Sequence, residues 1–309
     1  MNARDRLLAV FVAVLWGINF IAIDFSLRWF PPMFFAGLRF AVIAVPTLLL
    51  VPRPDVRWRW LLGYGLGFGT LQFAFLFLAL ESGMPTGLAS LVLQASAPFT
   101  VLLGGILLRE KIRATQAVGI VVAVLGMAVI GWHRAQAAAL LPVVLTLCGA
   151  LGWAFGNLCN RQAKASDPLR LTLWMSIVPP LPMFALSALV EGPSLGWRAL
   201  AGSFTSATGW AALGGLAFTA VLATVLGSGI WTALMARHPA STVAPFSLLV
   251  PVVGVSSAWL VLGERPHPVE LLAGAVVIAG VLLGSLPPRS TPTPLQPTGT
   301  TEPEPARPA

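Results

Sequence analysis

The stretch LASLVLQASAPF, residues 88–99, begins as an apolar helix and then carries Gln94 and Pro98 four residues apart. It lies within a segment, residues 85–108, that has no charged side chain. A polar amide and a proline are unfavourable inside a lipid-facing helix, because the amide must be desolvated and the proline removes a backbone hydrogen bond. The pattern therefore indicates a membrane helix that lines a polar interior.

The composition is that of an integral membrane protein. Of the 309 residues, 57 % are hydrophobic and only 10 % are charged, whereas about a quarter of the residues in soluble domains are charged. The net charge of +8 does not indicate nucleic-acid binding, because the basic residues lie in short loops between apolar segments. The expected partners are therefore membrane lipid and a small molecule, and nucleic acid is excluded.

Loop signals divide the apolar sequence into ten helices, each long enough to cross the ~30 Å hydrocarbon core of a bilayer. We predict them at residues 7–27, 32–51, 60–80, 85–108, 114–132, 139–160, 168–190, 208–236, 240–262 and 268–286. Residues 287–309 are proline-rich and are predicted to form a disordered cytoplasmic tail. The predicted fold class is an all-α membrane protein with ten transmembrane helices.

The distribution of basic residues predicts the orientation of these helices. With the N-terminus inside, cytoplasmic segments hold 14 of the 19 Lys and Arg residues. External loops hold four, namely Arg28, Arg134, Arg198 and Arg265, and Arg39 lies within a span. Because Lys and Arg accumulate on the cytoplasmic side, we expect the protein in a bacterial inner membrane with both termini on the cytoplasmic side.

Two sets of landmarks indicate an internal repeat. Trp16 opens WGIN in the first helix and Trp153 opens WAFGN in the sixth, while Glu110 and Glu264 each precede a glycine by 16 residues. Both glutamates are interpreted as boundary charges that pair with adjacent arginines. The predicted repeats cover residues 1–136 and 137–286. Because five helices is an odd number, the second repeat must cross the membrane in the opposite sense, which places a substrate site between the halves near the midplane.

Several short motifs resemble one family of transporters. They are WGINF near the start, AGLRF at 36–40, GYGL at 63–66, QFAFLF at 72–77, GMPTGLASLVLQ at 83–94, GIW at 229–231 and APFSLLVPVVG at 244–254. On these motifs, residues 1–286 resemble the EamA family of the drug/metabolite transporter superfamily. The resemblance implies export of small amino acids or derivatives, such as cysteine or O-acetylserine, by alternating access. The alternatives are transport of another metabolite or a drug, and a membrane enzyme or accessory subunit.

Arg39 is the most unusual residue within a predicted span. Placing an arginine at the centre of a membrane helix costs about 2.5–3.5 kcal/mol on translocon scales. One explanation is functional, because a guanidinium offers a fork of donors to a substrate carboxylate. The alternative is a permanent ion pair with Asp24, since the two residues lie about 10 Å and 5 Å below the outer boundary at 1.5 Å per residue.

Other polar and aromatic residues are candidates for the same site. They are Gln72, Gln94, Asn19, Asn157, Trp16, Trp153 and Trp231. The glutamines can both donate and accept, as a zwitterion requires, although each has an alternative role as a hydrogen bond between helices, worth about 0.6 kcal/mol. The asparagines, each about one turn after a tryptophan, are predicted to form the opposite wall, and the tryptophans are predicted to cover the apolar part of the substrate.

Two prolines are candidate helix breaks. Pro98 in the fourth helix and Pro251 in the ninth stand at nearly matching places in the two repeats. A proline inside a helix frees backbone carbonyls, which membrane proteins tolerate where a cavity accepts them. Paired breaks of this kind indicate a transport pathway.

Enzyme chemistry has little support in the sequence. His133, His238 and His267 are predicted to lie in loops, and the chain has no H-E-x-x-H, no Cys/His metal spacing and no G-x-S-x-G. Cys148 and Cys159 are predicted on one helix about 16 Å apart, beyond the reach of a disulfide. We expect no catalytic residue, no metal and no cofactor, and the protein partner left open is a second copy in a homodimer.

A reporter enzyme that is active only outside the cytoplasm tests the predicted orientation. Fused after Ala309 it should be silent, and fused after Arg134 it should be active, because of the asymmetry in basic residues. The measurement is reporter activity divided by the abundance of the fusion protein. The opposite pattern would contradict both the orientation and the count of five helices per repeat.

Overall fold

The protein is built from helices that cross a membrane. The computed structural model describes residues 1–109, 112–136, 140–238 and 243–284. The helices are α1 (Ala3–Leu27), α2 (Pro32–Leu50), α3 (Trp58–Glu81), α4 (Thr86–Leu108), α5 (Ala114–Gln136), α6 (Leu140–Ala163), α7 (Pro168–Glu191), α8 (Leu195–Gly202), α9 (207–237), α10 (244–262) and α11 (Pro268–Gly284). Among the described residues, α1–α7 and α9 are long and apolar enough to span a membrane, and α10 and α11 are shorter apolar helices. These ten helices are the ten predicted spans, and the chain is an all-α, multi-pass membrane protein.

The predicted boundaries agree with the structure to within four residues, and one short helix is additional. Helix α1 begins at Ala3, earlier than the apolar run, because the side chain of Asn2 caps it by accepting from the backbone nitrogen of Asp5 at 2.8 Å. Helix α8 was not predicted, since its eight residues between α7 and α9 are too short to give a clear periodic pattern. Glu110 and the tail 287–309 lie outside the described residues.

Irregular segments occur in equivalent helices of the two halves. Helices α3 and α9, the third membrane helix of each half, contain π-helical segments at Gly65–Leu71 and Phe218–Gly227. Helices α4 and α10, the fourth of each half, contain 3₁₀ segments at Leu93–Ala95 and Ala244–Leu248. Such departures from α-helical bonding are frequent at functional sites. Their repetition in both halves indicates that they belong to the architecture of the fold.

The helices pack with an approximate two-fold relation between the halves. Helix α1 packs against α9 and α10, while its counterpart α6 packs against α3 and α4. Three further pairs, α2–α7, α4–α10 and α5–α11, each join a helix to its own counterpart. An inverted repeat produces this pattern, because its symmetry axis lies in the membrane plane between the halves.

Glycines in α5 and α11 fix the register of the two-fold relation. A Cβ added to Gly119 would lie 2.5 Å from the carbonyl oxygen of Gly280, and one added to Gly126 would lie 2.8 Å from that of Ala273. In the register of the landmark glutamates, Gly126 corresponds to Gly280 and Gly119 to Ala273. Each contact is therefore the image of the other, and small residues allow the two backbones to approach closely.

An alanine at Gly119 should destabilise this contact. Its methyl group would have to displace the α11 backbone, and overpacking of this kind costs about 1–3 kcal/mol. We expect Gly119→Ala to lower the midpoint of thermal unfolding in detergent. Gly131→Ala on the same helix is the matched control, because the added Cβ would meet its first neighbour only at 3.9 Å. Equal midpoints for the two variants would contradict the close packing of α5 and α11.

Candidate functional site

Arg39 projects from α2 into the interface between the two repeats. Its side chain is 4 % exposed, and its Nη2 donates to Oγ1 of Thr224 on α9 at 3.0 Å. The guanidinium carbon lies 4.0 Å from the ring centroid of Phe73 on α3 and 5.1 Å from that of Phe40. A cation over an aromatic face is stabilised by about 2 kcal/mol when it is desolvated. Three helices from both repeats therefore hold this one charge.

The structure does not contain the alternative ion pair of Arg39 with Asp24. Asp24 forms its ion pair with Arg28, one turn later on α1, at 2.7 Å between Oδ2 and Nη2. Among the described residues, no carboxylate lies within ion-pair distance of Arg39. Its Nε and Nη1 are buried and have no hydrogen-bond partner. The guanidinium is therefore only partly satisfied and keeps two donors free.

Trp16 meets α9 next to the partner of Arg39. Its indole nitrogen donates to the carbonyl oxygen of Ala223 at 2.9 Å, and its ring packs on Trp231 with the centroids 5.2 Å apart. Ala223 directly precedes Thr224, and both lie in the π-helical segment of α9. The structure thus brings together Trp16, Trp231 and Arg39, three of the predicted site residues.

Two predicted amides are buried with unpaired oxygens. Asn19 is 9 % exposed and Gln72 is 4 % exposed, and neither the Oδ1 of Asn19 nor the Oε1 of Gln72 has a partner. Gln72 directly precedes Phe73, which faces Arg39. Buried polar atoms in folded proteins are nearly always paired, so these two unpaired oxygens are available to a polar ligand.

The remaining candidates lie on the α6 side of the bundle. Trp153 packs edge-on against Phe68, whose ring contacts Phe73, with 6.0 Å between centroids in each case. Asn157 donates to Oγ1 of Thr100 on α4 at 3.3 Å, which is a bond between helices. Trp153 is therefore linked to the arginine through two rings, whereas Asn157 has no such link among the described contacts.

The predicted helix breaks coincide with the irregular turns. Leu93–Ala95 precedes Pro98 in α4, and Ala244–Leu248 precedes Pro251 in α10. Gln94 lies in the first of these turns, four residues before Pro98, and is half-buried. A proline both removes a donor and clashes with the carbonyl four residues earlier, which accounts for the local change in bonding. Whether these turns line a pathway stays a prediction.

Polar contacts close both ends of the interface. The carboxylate of Glu264 accepts from the backbone nitrogens of Thr86 and Gly87 at 2.7 and 2.9 Å and so caps α4. It does this instead of pairing with the adjacent arginine as predicted.

Glu191 likewise caps α2 through the backbone nitrogens of Met33 and Phe34 at 2.6 and 3.1 Å. At the opposite end, Oδ2 of Asp5 on α1 lies 2.7 Å from Nε2 of His238 after α9.

Two cavities of the described part of the chain lie away from the candidate site. A cavity of about 640 Å³ lies near the junction of α1 and α2, and another of about 560 Å³ lies between the α2–α3 loop and the end of α6. Neither is lined by a candidate site residue.

The sequence did not identify Thr224 and Phe73 as partners of Arg39, because nothing in a single sequence shows which distant helix faces an arginine.

Comparison with known proteins agrees with this architecture. The sequence pattern of the EamA-like transporter family matches residues 6–132 and again residues 140–286. A probable amino-acid metabolite efflux pump of Escherichia coli (strain K12) is 38 % identical over 289 residues, covering 92 % of this chain and 95 % of that protein. A protein of the same description from Salmonella typhimurium is 40 % identical with the same coverage. A probable terminal-alkyne amino-acid exporter of Streptantibioticus cattleyicolor is 27 % identical over 207 residues, covering 66 % of this chain and 65 % of that protein.

A solved structure shows the same fold. It is described as the crystal structure of a protein, is 19 % identical and superposes with a TM-score of 0.57 over 92 % of this chain and 98 % of that one. The family pattern occurs twice, once in each half, and relatives of about 40 % identity cover more than nine-tenths of the chain. The chain belongs to the EamA-like transporter family.

Proposed function

We propose that this protein exports small amino acids or their derivatives across the bacterial cytoplasmic membrane by alternating access. The names of the relatives support this class of cargo, since two are amino-acid metabolite efflux pumps and one is an amino-acid exporter. The observation that carries the proposal is the buried guanidinium of Arg39, whose Nε and Nη1 are unpaired between the repeats.

A carboxylate supplies what Arg39 lacks. A buried cation is costly unless it is paired and hydrogen-bonded, and Arg39 has one neutral hydroxyl and aromatic rings for partners. Two carboxylate oxygens can accept from two guanidinium nitrogens at once, which gives both strength and orientation. Amino acids and most of their derivatives carry that group.

The position of Arg39 suits alternating access. The residue lies between two inverted halves, where rocking of one half against the other exposes a fixed site first to one side and then to the other. Hydrogen bonds between the halves at both ends of the interface are compatible with this mechanism. The excess of basic residues in one set of loops supports cytoplasmic termini, and the proposed export then proceeds away from the side that contains them.

Counterflow in proteoliposomes tests the function and the role of Arg39 together. Purified protein should exchange labelled O-acetyl-L-serine or L-cysteine for the unlabelled compound. Arg39→Gln should remain abundant and reduce exchange about ten- to a hundredfold, because charge-assisted hydrogen bonds are worth about 1.5–3 kcal/mol. Arg39→Lys should also exchange poorly, since it keeps the charge but loses the fork.

Arg28→Gln is the matched control for these variants. It removes an arginine whose ion pair with Asp24 is solvent-exposed, and exposed pairs are worth about 0–1 kcal/mol. This variant should exchange like the wild type. Wild-type exchange by Arg39→Gln would remove the carboxylate-binding role, whereas no exchange of any amino acid by the wild type would overturn the proposed function itself.

Gln94 tests the contribution of the 3₁₀ turn. Gln94→Leu removes the amide at nearly constant volume, and a role as a hydrogen bond between helices would cost under about 1 kcal/mol of stability and leave exchange intact. If Gln94 contacts the substrate, exchange should collapse while the unfolding midpoint changes little. Unchanged exchange would remove Gln94 from the site.

A further inference from the structure

The centre of the bundle contains more unpaired polar atoms than those of Arg39. Among the described residues, buried side-chain atoms without a partner are Nε and Nη1 of Arg39, Oδ1 of Asn19, Oε1 of Gln72, Oγ1 of Thr219 and Nδ1 of His133. His133 lies near the far end of α5, whereas the other four residues lie on α1, α2, α3 and α9. Because native proteins leave few such atoms unpaired, two donors and three acceptors on adjoining helices need an explanation.

Asn19 and Thr219 lie at the same level of the α1–α9 interface. The indole of Trp16 donates to the carbonyl oxygen of Ala223, and the carbonyl oxygen of Ala22 lies 2.4 Å from a Cβ placed on Gly215. Because the two helices run antiparallel, Asn19 lies between these two contacts along α1 and Thr219 lies between them along α9. The two unpaired oxygens therefore occupy the same turn of the interface.

Thr219 is also joined to Arg39 through one residue. Oγ1 of Thr224 accepts from Nη2 of Arg39 at 3.0 Å and donates to the backbone oxygen of Thr219 at 2.8 Å. The acceptors of Asn19 and Thr219 thus lie about one turn of α9 from the arginine. Sequence reasoning did not identify Thr219, because a threonine in a membrane helix usually bonds its own backbone.

We infer that Asn19 and Thr219 form a subsite for the α-ammonium group of the substrate, beside the carboxylate-binding nitrogens of Arg39. An ammonium group has three donors and no acceptor, and a carboxylate has only acceptors, so an α-amino acid satisfies both sets of unpaired atoms. Gln72 on α3 supplies a third oxygen. The inference rests on the proposed function and narrows the cargo to compounds whose α-amino group is free.

Among the described residues no buried carboxylate lies at this subsite, so its acceptors are neutral oxygens. The buried carboxylates of the described residues belong to Asp5 and Glu270. Asp5 is held by His238 at the end of the bundle, and Glu270 accepts from the backbone of its own helix start. A substrate with a blocked amino group therefore gains no charge pairing here and leaves buried oxygens unsatisfied, which a site built for hydrogen bonding rejects strongly.

The isomers O-acetyl-L-serine and N-acetyl-L-serine test this subsite. They contain the same atoms and the same carboxylate, but only the O-acetyl isomer keeps the ammonium group. In counterflow the wild type should exchange the O-acetyl isomer at least about tenfold faster, the factor expected for losing a hydrogen bond to a charged group. Equal exchange, or faster exchange of the N-acetyl isomer, would overturn the subsite while leaving the exporter function standing; exchange of neither would overturn both.

Two variants assign the preference to named residues. Thr219→Val and Asn19→Leu should lower exchange of the O-acetyl isomer about tenfold and leave the slow exchange of the N-acetyl isomer unchanged, so that the preference disappears. A purely structural role would lower both rates by the same factor. Thr47→Val on α2 is the matched control, since its buried hydroxyl donates only to the backbone oxygen of Ile43, and it should keep the wild-type preference. An unchanged preference in both test variants would contradict the assignment.

Discussion

The incomplete solvation of one guanidinium organises the centre of this protein. Arg39 is buried where water cannot reach it. In place of water, its guanidinium contacts one hydroxyl, that of Thr224, and the face of the Phe73 ring. These contacts join α2 to α9 and α3, so a single charge draws both repeats to one point. A carboxylate of the protein at this point would occupy the donors that a substrate carboxylate needs.

The frame around this centre depends on close backbone packing. Lipid tails are as apolar as leucine, so membrane helices associate through van der Waals contact between small residues. Besides the α5–α11 crossing, a Cβ on Gly67 would lie 2.6 Å from the backbone nitrogen of Gly156, and one on Gly69 would lie 2.2 Å from Pro179. Irregular π and 3₁₀ segments lie in α3, α4, α9 and α10, and a further π-helical segment ends α7. The fold thus combines tightly packed crossings with segments whose backbone bonding departs from the α-helical pattern.

The sequence predicted the membrane helices and their repeat more completely than the contacts of the candidate site. Ten spans and an inverted repeat follow from hydropathy and landmark spacing, which are properties of short segments. The partner of Arg39 depends on which distant helix faces it, and no local pattern reports that. The partner of Asp24, by contrast, could be predicted from a local pattern. Arg28 lies four residues later on the same helix, where opposite charges interact directly, and this local signal outweighed the pairing with Arg39 that the depth of the two residues suggested.

Hydrogen bonds join the two repeats at both ends of their interface. At the end where α2 and α4 begin, carboxylates of the second repeat, Glu191 and Glu264, cap helices of the first. At the other end Asp5 of the first repeat meets His238 of the second. Water can replace such hydrogen bonds once an end opens, so each contributes only about 1.5–3 kcal/mol. A substrate that binds one state more tightly can shift an equilibrium of that size. The desolvated centre, where water cannot compensate, is the part of the interface in which a bound carboxylate would add most to the pairing of Arg39.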